Sequence, residues 1–376
     1  MAKKLTIRDI AAHAGVSHTT VSLVLNNKES RVSAETKARI LQIAQDMNYI
    51  PNQIAVSLAT QKTHTIGLIT PDLTNMFLSS LGAGVEMYAQ TQGYSVFFCN
   101  CNEDYHKCID YIHEFVKRKI DGLVVIPPSG INNEGYLELA VALEESDIPY
   151  ILVDRAVRHL SRDFITIDNK LGGFLATEHL LELGHKKIGC ITGPLTEFGA
   201  QRRLQGYRDA LEKTGIPITE AYIFEGNYHF DSGVHGAERL LAEGVTAIFA
   251  CNDMMALGVN KYATDHGLVI PRDLSLVGFD NNPVTEFMSI GLTTISQPYD
   301  LMGRYACEIL LNRIDGEQPL SNTQKSNDSL TVRGSTVSVK DLIDKQAREN
   351  APNKYKDYFF SPSLIVRHTT AAPKEI

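Results

Sequence analysis

The chain has 376 residues, of which 43% are hydrophobic and 21% charged, and its net charge is −8. This length predicts two to three domains, and this composition excludes a disordered, collagenous or membrane-embedded chain. The apolar runs are far shorter than the roughly 18 residues of a membrane helix, and the charged N-terminus has no apolar signal stretch. We therefore expect a cytoplasmic protein without a membrane partner.

The first 50 residues predict a helix-turn-helix. Thr6 and Asp9 have the spacing of a capping box, and Gly15 suits the left-handed end of a first helix. Ser17 can cap a second helix, and a third helix fits residues 33–48. Two short helices joined by a tight glycine-containing turn are typical of DNA-binding proteins, although a plain helical hairpin would show the same pattern.

Side chains at the start of the second helix are candidates for DNA contact. In this motif the second helix enters the major groove, and its N-terminal residues meet phosphates and base edges. The outward positions are His18, Thr19, Ser22 and Leu23. The first 60 residues carry seven Lys and Arg against four Asp and Glu, whereas the rest of the chain carries 29 against 40. A basic segment on an acidic body favours a nucleic-acid partner, although weakly.

From residue 62 onward the pattern changes to alternating strands and helices. The strand-like runs form two series, 65–70, 95–99, 122–126 and 149–153, then 187–192, 221–224, 247–250 and 274–277. Two such series predict two parallel-sheet subdomains with helices on both faces. Open sheets of this kind bind ligands beyond the carboxyl ends of their strands. We therefore expect a ligand crevice between the subdomains.

Polar and aromatic residues follow several of these predicted strands. They are Asp72, Asn75, Phe77, Asp154, Arg155, Asn252, Asp253, Asp280 and Asn281. A hydroxyl group both donates and accepts hydrogen bonds, so carboxylates, amides and an arginine suit a polyhydroxylated ligand. An aromatic ring can cover the apolar face of a sugar. Each residue alone could simply cap a loop, but their recurrence at the same topological place predicts a binding site.

No catalytic motif is present in the sequence. Phosphate-loop, zinc-protease and nucleophile-elbow patterns are all missing. Soft ligands cluster at Cys99, Cys101, His106, Cys108 and His113, but their spacing matches no common zinc pattern. We expect reduced, buried thiols, no catalytic residue, no cofactor and no metal.

The stretches 7–22, 31–33 and 48–52 resemble the DNA-binding head of the lactose-repressor (LacI/GalR) family. The resemblance implies that residues 51–61 form a hinge helix and linker that folds on operator DNA. It also implies that Leu58 wedges into a minor-groove step, as architectural proteins do. The DNA-contacting residues that it implies are Thr6, Ser17, His18, Thr19, Ser22, Leu23, Asn26, Asn52, Ala55 and Leu58.

The resemblance continues through the body and covers most of the chain. Residues 71–77 are similar to the family's first-strand loop, with Met76 where proline is usual. The resemblance implies an effector pocket that includes Arg203, Asn252, Asp253, Asp280 and Gln297, together with the polar residues that follow the first four strands. Arg202 is expected to face elsewhere.

The C-terminal end departs from the family pattern. Residues 329–336 and 363–370 are near-copies, and both resemble the family's single closing strand. We favour the second copy as the closing strand, which makes residues 322–356 an insertion with a charged helix at 339–349. No leucine heptad tail is visible, so a dimer is expected rather than a tetramer.

Together these features predict an all-α helix-turn-helix head joined to an α/β body of the periplasmic-binding-protein type. The expected domains are 1–50, the hinge 51–61 and an effector-binding and dimerisation domain, 62–376. We expect a repressor that binds near-palindromic double-stranded operator DNA as a homodimer. Its small-molecule effector is expected to be a carbohydrate. A nucleobase corepressor and a solute-binding protein without DNA function remain the alternatives.

Overall fold

The computed structural model describes residues 5–25, 31–49, 57, 60–157, 160, 162–286, 291–316, 330–334 and 356–374, with the strand at 330–334 defined by its backbone alone. The chain forms two compact units, Met1–Thr63 and His64–Ile376. Four expected DNA-contacting residues, Asn26, Asn52, Ala55 and Leu58, lie outside the described residues, as do most of the hinge segment and the charged helix expected at 339–349.

Three helices form the described part of the first unit: α1 (Ile7–Ala14), α2 (His18–Leu25) and α3 (Ala34–Asp46). The capping box predicted for α1 is present, since the backbone N–H of Thr6 donates to Asp9 Oδ2 at 2.8 Å. Gly15 ends this helix with φ of 64°, in the left-handed region that glycine adopts without strain. Ile10, Val21 and Ile40 are fully buried between the helices and hold the unit together.

The second unit alternates strands and helices. Its strands are β1 (Thr65–Thr70), β2 (Ser95–Asn100), β3 (Gly122–Val125), β4 (Tyr150–Val153), β5 (Phe164–Ile167), β6 (Ile188–Thr192), β7 (Ile223–Glu225), β8 (Ala247–Ala250), β9 (Ser275–Asp280), β10 (Thr293–Ser296), β11 (Leu330–Gly334), β12 (Lys356–Phe360) and β13 (Ser363–Ile365). Its helices are α4 (Met76–Thr91), α5 (Tyr105–Arg118), α6 (Asn133–Glu145), α7 (Asn169–Glu182), α8 (Phe198–Lys213), α9 (Phe230–Ala242), α10 (Asp253–Asp265) and α11 (Tyr299–Ile314).

The strands form two sheets, which confirms the predicted pair of parallel-sheet subdomains. The first has the order β11-β12-β5-β4-β3-β1-β2 and the second β13-β10-β9-β8-β6-β7. All described pairs are parallel except β11 with β12 and β10 with β13. Within the described residues the chain passes between the sheets three times, after β5, β10 and β12. These crossovers bring the carboxyl ends of both sets of parallel strands to one cleft.

Helices α7 and α8 lie in direct backbone contact beside this cleft. A Cβ atom added to Gly173 would lie 2.1 Å from the carbonyl oxygen of Arg203, so only glycine permits this approach. The close packing fixes the position of Arg203, whose side chain is buried at the cleft.

The two near-copies occupy different sheets. Strand β13, from the second copy, pairs with β10, and the backbone N–H of Leu276 donates to Thr369 O at 2.8 Å just beyond it. Strand β11, from the first copy, pairs with β12 at the edge of the first sheet. The second copy therefore adds an antiparallel edge strand to the second sheet, and the first copy adds one to the first sheet.

No helix among the described residues could span a membrane, because none is both long and apolar enough.

Candidate functional site

A cavity of about 150 Å³ lies in the cleft between the two sheets. Much of its polar lining comes from residues at or shortly after the ends of strands, which are Asp154, Arg155, Asp168, Asn169, Glu197, Asn252, Asp280 and Gln297. The aromatic rings of Phe77, Phe198 and Tyr228 also line it. The predicted recurrence of polar groups at the carboxyl ends of strands therefore does produce one shared lining.

Arg203 lies at the centre of this lining and is buried. Its Nε donates to Asn169 Oδ1 at 2.7 Å, and its Nη1 donates to the carbonyl oxygen of Cys251 at 2.5 Å. The guanidinium carbon lies 3.7 Å from the centroid of the Phe279 ring, a cation–π distance. Burial lowers the pKa of this arginine, but nearby groups that include Asp280 outweigh that effect and raise it. Arg203 is therefore a fixed positive charge.

Asp280 and Gln297 form a second buried pair on the cavity wall. Gln297 Nε2 donates to Asp280 Oδ1 at 2.6 Å, while Gln297 Oε1 has no partner among the described residues. Asp280 has φ of 115°, a backbone conformation that side-chain-bearing residues rarely adopt. Strain of this kind is typical of binding sites. Burial raises the pKa of Asp280 well above its usual range, and Arg203 opposes that shift.

Asn252 and Asp253 begin helix α10, but only Asn252 lines the cavity. Asn252 Oδ1 caps the helix by accepting from Met255 N at 2.9 Å. The carboxylate of Asp253 instead accepts from the Thr294 hydroxyl at 2.6 Å and from the Asn282 N–H at 2.7 Å. The expectation that Asp253 contacts the effector is therefore corrected, because its carboxylate is turned behind the wall and holds the loop after β9.

Burial raises the pKa of Asp253 to about 7, although its hydrogen-bond donors favour the ionised form. This carboxyl group is fully buried, so it can exchange a proton with solvent only when the surrounding structure opens.

The residues after β1 divide between the cavity and its mouth. Phe77 and Asn75 line the cavity, whereas Asp72 lines an outer recess of about 290 Å³. Asp72 also accepts from the backbone N–H of Thr74 at 2.8 Å, which is the loop-capping role that its residue type favours.

Arg155 lies between carboxylates from both sides of the cleft. Its Nη1 is 3.2 Å from Glu103 Oε2 and donates to Pro127 O at 3.1 Å, and its Nε is 3.5 Å from Glu197 Oε2. Burial lowers the pKa of Arg155, but Glu197, Glu103 and Asp154 outweigh that effect and raise it. The ion pair between Arg155 and Glu197 joins the subdomain that contains β4 to the subdomain that contains α8.

Several lining residues were missed by the sequence analysis. Glu197, Asp168 and Asn169 line the cavity, and Arg202 does so too, contrary to our expectation. Glu197 and Asp168 could have been found by the rule that identified the others, because each comes shortly after a strand, β6 and β5 respectively. Strand β5 was itself missed, since its four residues follow a polar stretch.

The cysteine and histidine cluster forms no metal site within the described part of the chain, where no group of three or more potential ligands converges. Cys101 and Cys108 are fully buried instead, and their side chains pack into the core beside β2.

The start of helix α2 presents the expected surface. Ser17, His18 and Thr19 are exposed, and Ser22 and Leu23 are half-buried. Ser17 Oγ caps the helix by accepting from Thr20 N at 3.1 Å. Thr6 is exposed at the start of α1.

Two family descriptions match the chain: "Bacterial regulatory proteins, lacI family" over residues 6–52, and "Periplasmic binding protein-like domain" over residues 177–336. The HTH-type transcriptional repressor PurR of Vibrio vulnificus is 36% identical over 337 residues, which cover 89% of this chain and 99% of that protein. The chain belongs to the LacI family. PurR of Photobacterium profundum is 34% identical over 90% of this LacI-family chain and 99% of its own length.

Solved structures of LacI-family regulators share the fold over most of the chain. A Lac repressor dimer bound to operator and the anti-inducer ONPF has a TM-score of 0.78 and 28% identity, covering 98% of this chain and 100% of its own. The regulator CelR in complex with cellobiose has a TM-score of 0.65 and 26% identity, covering 97% and 99%. A LacI-family regulator from Enterococcus faecium with bound ribose has a TM-score of 0.64 and 26% identity, covering 82% and 100%.

This LacI-family protein is a DNA-binding transcriptional repressor, not an enzyme. Repressors of the family bind operator DNA and dimerise.

Proposed function

We propose that this repressor controls transcription through a small carbohydrate that binds in the cleft and changes the affinity of a homodimer for a near-palindromic operator. Residues 1–50 would read the operator, 51–61 would form the hinge, and 62–376 would bind the effector and dimerise. The observation that carries the effector assignment is the set of carboxyl, amide and guanidinium groups that lines the cavity.

The chemistry of this lining favours a polyhydroxylated ligand. Arg202 and Arg203 offer donors, and Asp280 offers acceptors together with the Oε1 atoms of Glu197 and Gln297, which have no partner among the described residues. Neighbouring hydroxyls can therefore be paired in either direction. Phe198 is 55% exposed and supplies an apolar ring against which a sugar face can pack. The solved neighbours that hold cellobiose and ribose support the same ligand class.

A nucleobase corepressor is the second candidate. The curated relatives that match most of this chain carry the name PurR, which favours a purine ligand. A planar base prefers aromatic rings above and below it, and Phe77, Phe198 and Tyr228 are available on the cavity wall. The buried carboxylates serve a base less well than a polyol, because a purine offers few donors.

Thermal unfolding of the full chain with a ligand panel tests the assignment. The panel contains neutral pentoses and hexoses, cellobiose, purine bases and nucleosides, each measured for its shift in melting temperature and its effect on operator binding. A sugar that raises the melting temperature and changes operator affinity supports the first candidate. A purine that does both, when no sugar does either, replaces it with the second.

A further inference from the structure

Glu197 has an unusual position for a buried carboxylate. It precedes α8 as its N-cap residue, yet its side chain makes no capping hydrogen bond. It is only 5% exposed, and its Oε1 has no hydrogen-bond partner among the described residues. An uncompensated buried oxygen of this kind is costly unless something else supplies a donor. The residue lines the cavity, so a ligand can supply it.

Arg155 satisfies only the other oxygen of Glu197. The Nε of Arg155 lies 3.5 Å from Glu197 Oε2, and its Nη1 donates to Glu103 Oε2 and to Pro127 O. The arginine is therefore shared among acceptors that are already in place. Burial raises the pKa of Glu197, and the nearby charge of Arg155 opposes this shift without cancelling it. The protein therefore only partly compensates the negative charge of Glu197.

Acidic side chains outnumber basic ones in the lining of the cavity. Its lining includes the carboxylates of Asp154, Asp168, Glu197 and Asp280 against the guanidinium groups of Arg155, Arg202 and Arg203, and Glu103 pairs with Arg155 from behind. Of these arginines, Arg155 and Arg203 each already donate hydrogen bonds to protein acceptors through some of their nitrogens. An anionic ligand would add a further negative charge to a buried site, which is unfavourable at low effective dielectric.

We propose that Glu197 determines the specificity of the cleft. Its Oε1 accepts a hydrogen bond from a hydroxyl or ammonium group of the effector, and its charge excludes phosphorylated and carboxylated ligands. This inference rests on the effector site proposed above. It narrows the ligand to a neutral or amino-bearing polyol, with the amino form bound more tightly because its donor is charged.

The test compares three full-length proteins: the wild type, Glu197→Gln and the matched control Glu212→Gln. Glu212 lies on the same helix, α8, but is exposed and distant from the cavity lining. The probes are ribose and glucose, glucosamine, ribose 5-phosphate, glucose 6-phosphate and adenine, titrated by calorimetry. Melting temperature and operator binding without ligand verify that each variant is folded.

We expect the wild type and Glu212→Gln to bind a neutral or amino sugar at least tenfold more tightly than its phosphate ester. Glu197→Gln should bind the amino sugar at least tenfold more weakly than the wild type does. The difference in affinity between the sugar and its phosphate ester should also be smaller in this variant. Equal or tighter binding of the phosphate ester by the wild type overturns the inference, and so does an unchanged preference in Glu197→Gln.

The same titration separates this inference from the proposed function. If adenine binds and no sugar does, the carbohydrate assignment fails. The role of Glu197 is then decided on adenine, whose amino group is a donor: a tenfold loss in Glu197→Gln upholds it, and an unchanged affinity overturns it.

Discussion

Individual buried charges in the cleft depend on neighbours that are fixed by the fold. Arg203 is oriented by Asn169 and Cys251 O and lies over the ring of Phe279. Lysine cannot reproduce this arrangement, because it lacks the planar fork that makes two directed hydrogen bonds. We therefore expect that a positive charge alone at this position is not sufficient for the proposed effector recognition.

For Arg203→Lys we expect effector affinity to fall by at least a hundredfold while operator binding without effector is retained. The lysine keeps a positive charge near Asp280, so the body should remain folded. Arg208→Lys is the control, since Arg208 lies on the same helix and pairs with Glu220 at the surface. Calorimetry and operator titration measure the two properties. An Arg203→Lys variant with wild-type effector affinity would disprove the role of this residue.

Asp253 predicts a specific dependence of stability on pH. Its pKa in the folded protein is about 7, whereas an unfolded aspartate has a pKa of about 3.9. Between these values the folded chain retains a proton that the unfolded chain has lost, so the stabilisation present at low pH is lost as pH rises through 7. Over that window we expect Asp253 to lower the free energy of unfolding by roughly 2 to 4 kcal/mol.

The comparison of wild type with Asp253→Asn measures this effect. Asparagine stays neutral, so the melting temperature of the variant should fall less than that of the wild type between pH 5 and pH 8. The difference in slope is informative even though asparagine loses one of the two hydrogen bonds accepted by the carboxylate. Parallel pH profiles would show that Asp253 does not titrate in this range.

Among the secondary-structure elements, α2 depends on a local cap. Ser17 Oγ accepts from Thr20 N, and loss of such a cap costs about 1 kcal/mol. We expect Ser17→Ala to lower the protection of the Val21 amide against hydrogen exchange and to weaken operator binding. His18→Ala, at an exposed neighbouring position, should weaken operator binding without changing the exchange rate. Equal exchange rates in both variants would contradict the capping role.

Strand β2 presents an exposed apolar edge of the first sheet. Phe97, Phe98 and Met87 beside it are all more than 40% exposed, and an uncovered edge of this kind invites pairing with another chain. Because LacI-family repressors dimerise, we expect this edge to contribute to the dimer contact. Phe98→Lys should therefore shift the protein toward monomers and reduce operator affinity at least tenfold.

Analytical ultracentrifugation at several concentrations measures the dimer dissociation constant. Leu137→Lys is the matched control, because Leu137 is comparably exposed but lies on α6. A Phe98→Lys variant that remains as dimeric as this control would place the dimer contact elsewhere.

Structural features that depend on residues close together in the sequence could be predicted from it, whereas features that depend on distant residues could not. The cap at Ser17, the turn at Gly15 and the alternation of strands and helices depend on nearby residues, and the structure contains them all. The inward turn of Asp253 depends on Thr294 and Asn282, which no local pattern connects to it.

The C-terminal end shows the same limit at the level of whole strands. The near-copies have almost identical local sequences, yet β13 pairs with β10 and β11 pairs with β12. Their partners are set by where the chain crosses between the sheets, which the pattern of either copy alone does not specify. Glu197 could have been found from its place shortly after β6, but its pairing with Arg155 across the cleft depends on the fold of the whole body.

At the scale of the whole molecule, the proposed control requires that effector and operator influence each other's binding reciprocally. The coupling between two such sites is typically 1–3 kcal/mol, which corresponds to a change of about 5- to 150-fold in affinity. The effector can act only through a difference in its affinity for the two states of the body. The Arg155–Glu197 ion pair joins the two subdomains across the cleft. We expect a ligand that forms a hydrogen bond with Glu197 to change this contact and with it the relative position of the subdomains.

The affinity of the full-length protein for its own operator, measured with and without saturating cleft ligand, tests this account most directly. The operator is first isolated by sequencing genomic fragments that the protein captures at moderate and raised salt. We predict a short palindrome whose affinity changes about 5- to 150-fold when the ligand is added, in either direction, and no change in Arg203→Lys. An operator affinity that stays constant while calorimetry shows the cleft to be filled would contradict the account.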